Sequence, residues 1–354
     1  MGYSVRRHCR LAVFAVSVLC LLGAPIYVAY YYLYGSAFSS LSLARINAFA
    51  ALSAGDVLLS DLLRRPLTMQ ASIDEIGILE KSRQSVALVT ASNHDFAWQG
   101  AEAAFYDTIK EREAYAMVHG YSFDVVDLRN FTQDAIDATW PVVWLKIAVL
   151  RDTFQKHPDA DWVWWLDADA ILMGMQDLDT YLFDRLEALQ DEARRVQSLN
   201  KHPEDRMGVF EYTQRLSLAE TNLIVTPDMN TRMINAGSFL LRRSAWTEML
   251  LELWTDPYLF AAAKDDTIGF QEQGVLAHLI QQHTTIARHT AVVPMTSINA
   301  FPWAGPWTWH HGSLVMHTAG CWVHHQCEHW MKEYRAVKEG LKEQVEPPAE
   351  QSEA

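Results

Sequence analysis

Residues 162–172 read WVWWLDADAIL. Five apolar residues in a row, Trp162 to Leu166, run into two carboxylates, Asp167 and Asp169. A run with no polar face reads as a strand buried on both sides, the central strand of a sheet with helices packed on each face. In open α/β sheets ligands bind beyond the carboxyl ends of the strands, which is where these two acids fall. Side chains two apart in extended chain point the same way, so both carboxylates are expected to face one point in the crevice. Two like charges held close are unfavourable unless a cation sits between them. Hard oxygen donors suit Mg²⁺ or Mn²⁺, ions that keep substrate phosphate in their shell, so the pattern points to a phosphorylated ligand, most simply a nucleotide diphosphate. A lone Asp-x-Asp is commonly a solvated turn; its place after a buried aromatic strand makes this one informative.

The neighbouring sequence supplies the rest of such a sheet. SVALVTASN (85–93) reads as a buried strand entering a loop, AEAAFYDTIKEREAYAMVHGY (101–121) as a helix stopped near Gly120, SFDVVDL (122–128) as a second strand, and WLKIAVLRDTFQKH (144–157) as a second helix stopped near Pro158. TNLIVTPDM and NAGSFLLRRS read as later strands, SAWTEMLLELWTD and FQEQGVLAHLIQQH as later helices. The expected class is α/β.

Residues 11–34 carry no charge and follow Arg6, Arg7 and Arg10. That length spans a bilayer as a helix, the arginines place the N-terminus on the cytoplasmic side, and Tyr27, Tyr30, Tyr31, Tyr32 and Tyr34 suit the far interface. A cleaved signal peptide competes, but Pro25 after Gly23-Ala24 is a poor cleavage context. The expected organisation is a cytoplasmic tail (1–10), a transmembrane signal anchor (11–34), a stem (35–84), a catalytic domain (85–335) and a disordered acidic tail (336–354), with the bulk of the chain lumenal. Asn130-Phe131-Thr132 is a glycosylation sequon on that side.

The net charge of −14 over 354 residues argues against a nucleic-acid partner, which would need a basic face. Four cysteines are too few for a disulfide scaffold. Cys321 and Cys327 are either bridged in an oxidising lumen or two buried thiols; spacing leaves both open.

WVWWLDADAIL, MINAGSFLLRRSAWTEML, FQEQGVL and LVMHTAGC, in this order and together with REAYAMVHGY and WLKIAVL, resemble the fungal Golgi galactosyl- and mannosyltransferases of glycosyltransferase family 34 over about residues 85–325. The resemblance implies a Rossmann-like GT-A domain behind a type II anchor in the Golgi membrane, a nucleotide-sugar donor, Mn²⁺, and retention at the anomeric carbon. It implies a glycan or glycoprotein acceptor and leaves assembly, with itself or with related transferases, open. GDP-mannose and UDP-galactose both fit as donors, with a slight lean to mannosyl transfer onto N-linked glycans.

Carried onto this chain, the resemblance makes Asp167, Asp169 and His317 the metal ligands, and one imidazole with two carboxylates suits Mn²⁺ better than Mg²⁺. It makes Glu272 and Gln273 the catalytic pair. Gln273 is a poor nucleophile, which favours same-face attack by the acceptor, with Glu272 orienting hydroxyl groups. Thr90, Asn93, Asn235 and Gly237 are placed for the donor, and Arg112 and Lys146 are expected at its phosphates. Trp303, Trp307 and Trp309 form a candidate wall for the acceptor. Two positions depart from the family: Gly274, where a small polar or acidic residue is usual, and Glu111, where Asn is common. Both are mild support for a second reading, a non-catalytic anchored subunit. A third, a metal-dependent hydrolase, would need more ligands or a clear acid–base pair.

Overall fold

The computed structural model describes residues 83–93, 102–129, 141–199, 208–229, 233–302, 305–321, 326–343 and 345. The expected anchor, the stem up to residue 82, the Asn130 sequon and Trp303 lie outside them. Among the described residues no helix is long and apolar enough to cross a membrane.

The main sheet has six strands: β1 (Val86–Ser92), β2 (Ser122–Asp127), β3 (Trp162–Leu166), β5 (Leu223–Pro227), β6 (Ile234–Arg242) and β7 (Thr290–Val292), in the order β2-β1-β3-β6-β5-β7. A two-stranded sheet pairs β4 (Ala170–Leu172) with β8 (Val315–His317). The helices are α1 (Glu102–His119), α2 (Leu145–Lys156), α3 (Leu186–Ser198), α4 (Ala245–Trp254), α5 (Pro257–Lys264), α6 (Gln271–Gln282) and α7 (Cys327–Lys338), with single turns between them. Gly120 ends α1 at φ +70°, the left-handed conformation that only glycine adopts without strain. This is a mixed α/β fold.

The strand alternation explains why WVWWL carries no polar residue. Val163 and Trp165 pack into one core cluster with Ile147 and Leu150 of α2, Trp254 of α4 and Leu279 of α6. Trp162, Trp164 and Leu166 pack into a second, with Tyr115 of α1 and Leu186 and Leu189 of α3. All five strand residues are buried.

β1 runs parallel to both β2 and β3, but β6 is antiparallel to β3 and to β5. That reversal sets the site. The first residues of β6 lie beside the carboxyl end of β3, so Leu166 pairs with Ser238 and the Asp167 amide donates to the Gly237 carbonyl at 2.7 Å. The β4–β8 pair then places Ala170 opposite His317. Helix α7 runs to Lys338, past the expected domain boundary at 335, and Val345 packs with the cluster of Trp330, Met331 and Tyr334. The packed structure therefore reaches into the segment expected to be a disordered tail, because α7 carries an apolar face that needs covering.

Candidate metal and transfer site

Asp167 and Asp169 do converge, but not by strand alternation. β3 ends at Leu166, and residues 167–169 form a turn closed by the Ala170 amide on the Asp167 carbonyl at 3.1 Å. This turn aims both carboxylates at His317, whose Nε2 lies 3.2 Å from Asp169 Oδ1 and 3.9 Å from Asp167 Oδ2. One donor atom from each of the three residues lies within 4.8 Å of the others. Two acids and an imidazole closing on one point is a donor set that fits Mn²⁺, so the residues present suit the metal the resemblance implies.

His317 reaches this position through backbone and through space. Its amide donates to the Ala300 carbonyl at 2.7 Å, and the Thr318 amide donates to the Asp169 carbonyl at 3.1 Å. The ring then lies over Gly237, where a Cβ would come within 2.0 Å of its Cε1. This gives Asn235-Ala236-Gly237 a definite role: the glycine makes room for the imidazole. The ring is buried, which disfavours its charge, but the carboxylates of Asp169 and Asp167 together outweigh this and raise its pKa. Asp169 is lowered in turn: burial pushes it up, and the imidazole pulls it further down.

The two cations expected at the phosphates are engaged elsewhere. Arg112 is wholly buried; its guanidinium donates to the carbonyls of Asp167 and Ala170 at 2.6 Å each and to that of Leu166 at 3.3 Å. Burial lowers its pKa to about 10, and the acids of the turn hold it up, so it stays charged near neutrality. It braces the turn from beneath instead of reaching into the crevice, because a buried guanidinium must find acceptors where it lies. Lys146 is likewise buried. Its Nζ donates to the Ala236 carbonyl at 2.8 Å and lies 3.2 Å from both Asp167 Oδ1 and Glu272 Oε1. Burial opposes its charge, but the two acids outweigh it and its pKa rises. Burial raises Glu272, with Lys146 opposing. Trp165 Nε1 completes the cradle, donating to Asp167 Oδ1 at 2.6 Å.

Gln273 is held by the same β6 segment: its Oε1 accepts from the Ala236 amide at 2.8 Å and its Nε2 donates to Asp228 Oδ2 at 3.2 Å. Asn235 donates to the same Asp228 oxygen at 2.9 Å. Thr90, beside this edge on β1, is fully buried with no partner for its hydroxyl, and Asn93 follows β1 half-buried. Asp228 and Asn299 are the site residues that the sequence did not single out. The signal available for Asp228 was its place just after a strand, at the same sheet edge as Asp167.

Gly274, Glu111 and the tryptophans are explained by packing. A Cβ on Gly274 would lie 1.7 Å from the Gly269 carbonyl oxygen, so the start of α6 has no room for a side chain there. Glu111 pairs with Arg335 and Lys338 of α7, at 3.1 Å each. Trp307 is buried against Met295 and Phe301, and Trp309, half-buried, packs on Tyr334. Cys321 and Cys327 are bridged, tying the segment after His317 to the first turn of α7.

The profile of the galactosyl transferase GMA12/MNN10 family matches residues 82–328. The chain belongs to this family. Within it, the chain is 32% identical to a probable alpha-1,2-galactosyltransferase, gmh2, of Schizosaccharomyces pombe, over 76% of this chain and 75% of that protein. It is 31% identical to an alpha-1,2-galactosyltransferase of the same yeast, over 65% of this chain and 59% of that one. The probable alpha-1,6-mannosyltransferase MNN10 of Saccharomyces cerevisiae is also 31% identical, over 66% and 60%. Among solved structures, a glycosyltransferase involved in the glycosylation of the major capsid of PBCV-1 aligns with a TM-score of 0.45 at 12% identity, over 70% of this chain and 98% of that one. As a member of the GMA12/MNN10 family the chain is a hexosyltransferase.

Proposed function

We propose that the chain is a retaining, metal-dependent GT-A hexosyltransferase that moves mannose or galactose from a nucleotide diphosphate sugar to a glycan of glycoproteins. The observation that carries this reading is the convergence of Asp167, Asp169 and His317 at the carboxyl edge of the sheet. Mn²⁺ bound there would offset the charge that builds on the departing diphosphate. The chain's own residues position the rest. Lys146 neutralises the side of Asp167 that faces away from His317 and keeps Glu272 beside it. Gln273, fixed at both ends of its amide, presents a neutral polar group rather than a nucleophile. This supports same-face attack, in which the leaving phosphate takes the acceptor proton and the protein orients the two sugars.

The relatives named above divide between galactosyl and mannosyl transfer at nearly equal identity, so the donor is a matter for experiment. The Cys321–Cys327 bridge supports an oxidising lumen, in keeping with a type II Golgi anchor at residues 11–34. Incubating the full-length chain with Mn²⁺ and either GDP-mannose or UDP-galactose tests the proposal. Slow donor hydrolysis with one of them, abolished by Asp169→Ala, is the expected result. No release from any nucleotide sugar, together with tight glycan binding, would replace it with the non-catalytic reading.

A further inference from the structure

Behind His317 lies a buried relay of amides whose donors and acceptors can be assigned from the backbone outward. The Gly237 amide donates to Asn235 Oδ1 at 2.9 Å, which makes that oxygen an acceptor and the other end of the amide, donating to Asp228, a donor. Asn299 Nδ2 then donates to Asn235 Oδ1 at 2.8 Å and to Thr226 Oγ1 at 2.9 Å. Asn299 Oδ1 is therefore the end that faces His317 Nδ1, at 2.9 Å. An amide oxygen can only accept, so Nδ1 carries a proton. A neutral imidazole protonated at Nδ1 has its lone pair on Nε2, the atom that faces Asp167 and Asp169.

We propose that Asn299 is a positioning residue for the metal site: it holds His317 in the Nδ1–H tautomer, which alone offers Nε2 to a cation. This rests on the metal-dependent reading above. The fold supplies the means. Residues 299–301 run beside β8, with Ala300 bridged to Met316 and the Ala300 amide donating to the Val315 carbonyl at 3.0 Å, so Asn299 is carried on backbone paired to the strand that carries His317. Asn299 is fully buried, and the Phe301 ring stands edge-on to the imidazole at 5.6 Å. Without Asn299 the local preference reverses. The nearest acceptor for a ring proton becomes Asp169 Oδ1 on the Nε2 side, and a proton there fills the position a metal needs.

The test uses the full-length chain and two readouts: the Mn²⁺ dissociation constant, from the electron paramagnetic resonance signal of free Mn²⁺, and the ring ¹⁵N shifts of His317 in the metal-free protein, taken at a pH where the ring is neutral. Asn299→Leu removes the acceptor at similar volume. It is expected to move the proton to Nε2 and to weaken Mn²⁺ binding about 10- to 100-fold, the usual range for losing the group that orients a metal-binding histidine. Asn299→Asp keeps an acceptor oxygen and is expected to keep Nδ1–H and most of the affinity, despite a lower thermal midpoint from the lost donors. If Asn299→Leu does not fold, the aspartate variant still decides: a proton on Nε2 there overturns the proposal. An unchanged tautomer and unchanged Mn²⁺ affinity in a folded leucine variant also overturns it. If the unmodified chain binds no Mn²⁺, the metal-dependent reading fails, while the ¹⁵N shifts still judge Asn299.

Discussion

His317 and Gly237 share one volume: the imidazole occupies the space that any side chain on Gly237 would fill, and a Cβ at that position would lie 2.0 Å from Cε1. Gly237→Ala must therefore push the ring away from Asp169. Its expected result is a loss of Mn²⁺ affinity and of transfer by at least about tenfold, with the chain still folded, because overpacking one methyl costs only about 1–3 kcal/mol. A Mn²⁺ titration alongside a thermal melt separates the two effects. Normal Mn²⁺ binding by the alanine variant would contradict the packing described here.

Lys146 is the buried counter-charge of two acids. Lys146→Met removes the cation that Asp167 and Glu272 share, leaving Glu272 without its counter-charge, and is expected to cost about 3–5 kcal/mol, the range for breaking a buried pair from one side. Adding Glu272→Gln should return part of that stability, since the stranded charge is gone. Denaturant melts of the two single variants and the double variant measure the coupling, and simple additivity would show that Lys146 and Glu272 are independent.

Gly274→Ser introduces the small polar residue usual in the family at this position, yet it should be the damaging change here. The added Cβ meets the Gly269 carbonyl oxygen at 1.7 Å, in a segment where Gly269, Phe270 and Gln271 all have positive φ. Backbone carbonyl cannot yield as a side chain can, so α6 must shift at its first turn, and Glu272 and Gln273 with it. A drop in the thermal midpoint of several degrees together with a fall in kcat is expected.

His119 is a site of acid sensitivity. Burial lowers its pKa, outweighing the hydrogen bond between Nε2 and the Met175 carbonyl at 3.0 Å. The unfolded chain then takes up the proton first. The contribution of the neutral ring is complete above the unfolded value of about 6.5 and is lost as pH falls below it toward the lowered folded value. His119→Gln should flatten the decline of the thermal midpoint as pH falls below that unfolded value, relative to the unmodified chain. Parallel curves would assign the acid sensitivity elsewhere.

Reduction of the Cys321–Cys327 bridge frees a short loop, and the chain-entropy estimate for a loop of this size is about 2 kcal/mol. Dithiothreitol should lower the thermal midpoint, and Cys321→Ser with Cys327→Ser should do the same and make the chain insensitive to the reductant.

Much of the fold was legible because burial leaves a period. WVWWL could only be covered on both faces, and Gly120 marks the end of α1. The direction of β6 was not legible, since an apolar run reads the same in either sense. The partners of Arg112 and Lys146 were not legible for a related reason: whether a cation faces ligand, acid or backbone depends on what packs over it. Asn299 acts through Asn235, far away in sequence, so no local pattern marks it, whereas Asp228 carried only the weak signal of following a strand. Asp167, Asp169 and His317 stood out through an apolar strand and a family resemblance, while the turn that brings the two acids together appeared only in three dimensions.

The reversed course of β6 has an evolutionary corollary. Because strand pairing, not a loop, delivers residues 235–237 to the acidic turn, inserting or deleting a single residue within β6 would swap which side chains face each way and leave something bulkier than hydrogen beneath the imidazole. Lengthening should thus be tolerated in the connections around this strand and excluded from the strand itself, so that descendants of this architecture can change the sugars they handle by remodelling rims while the imidazole and the acidic turn stay where pairing puts them.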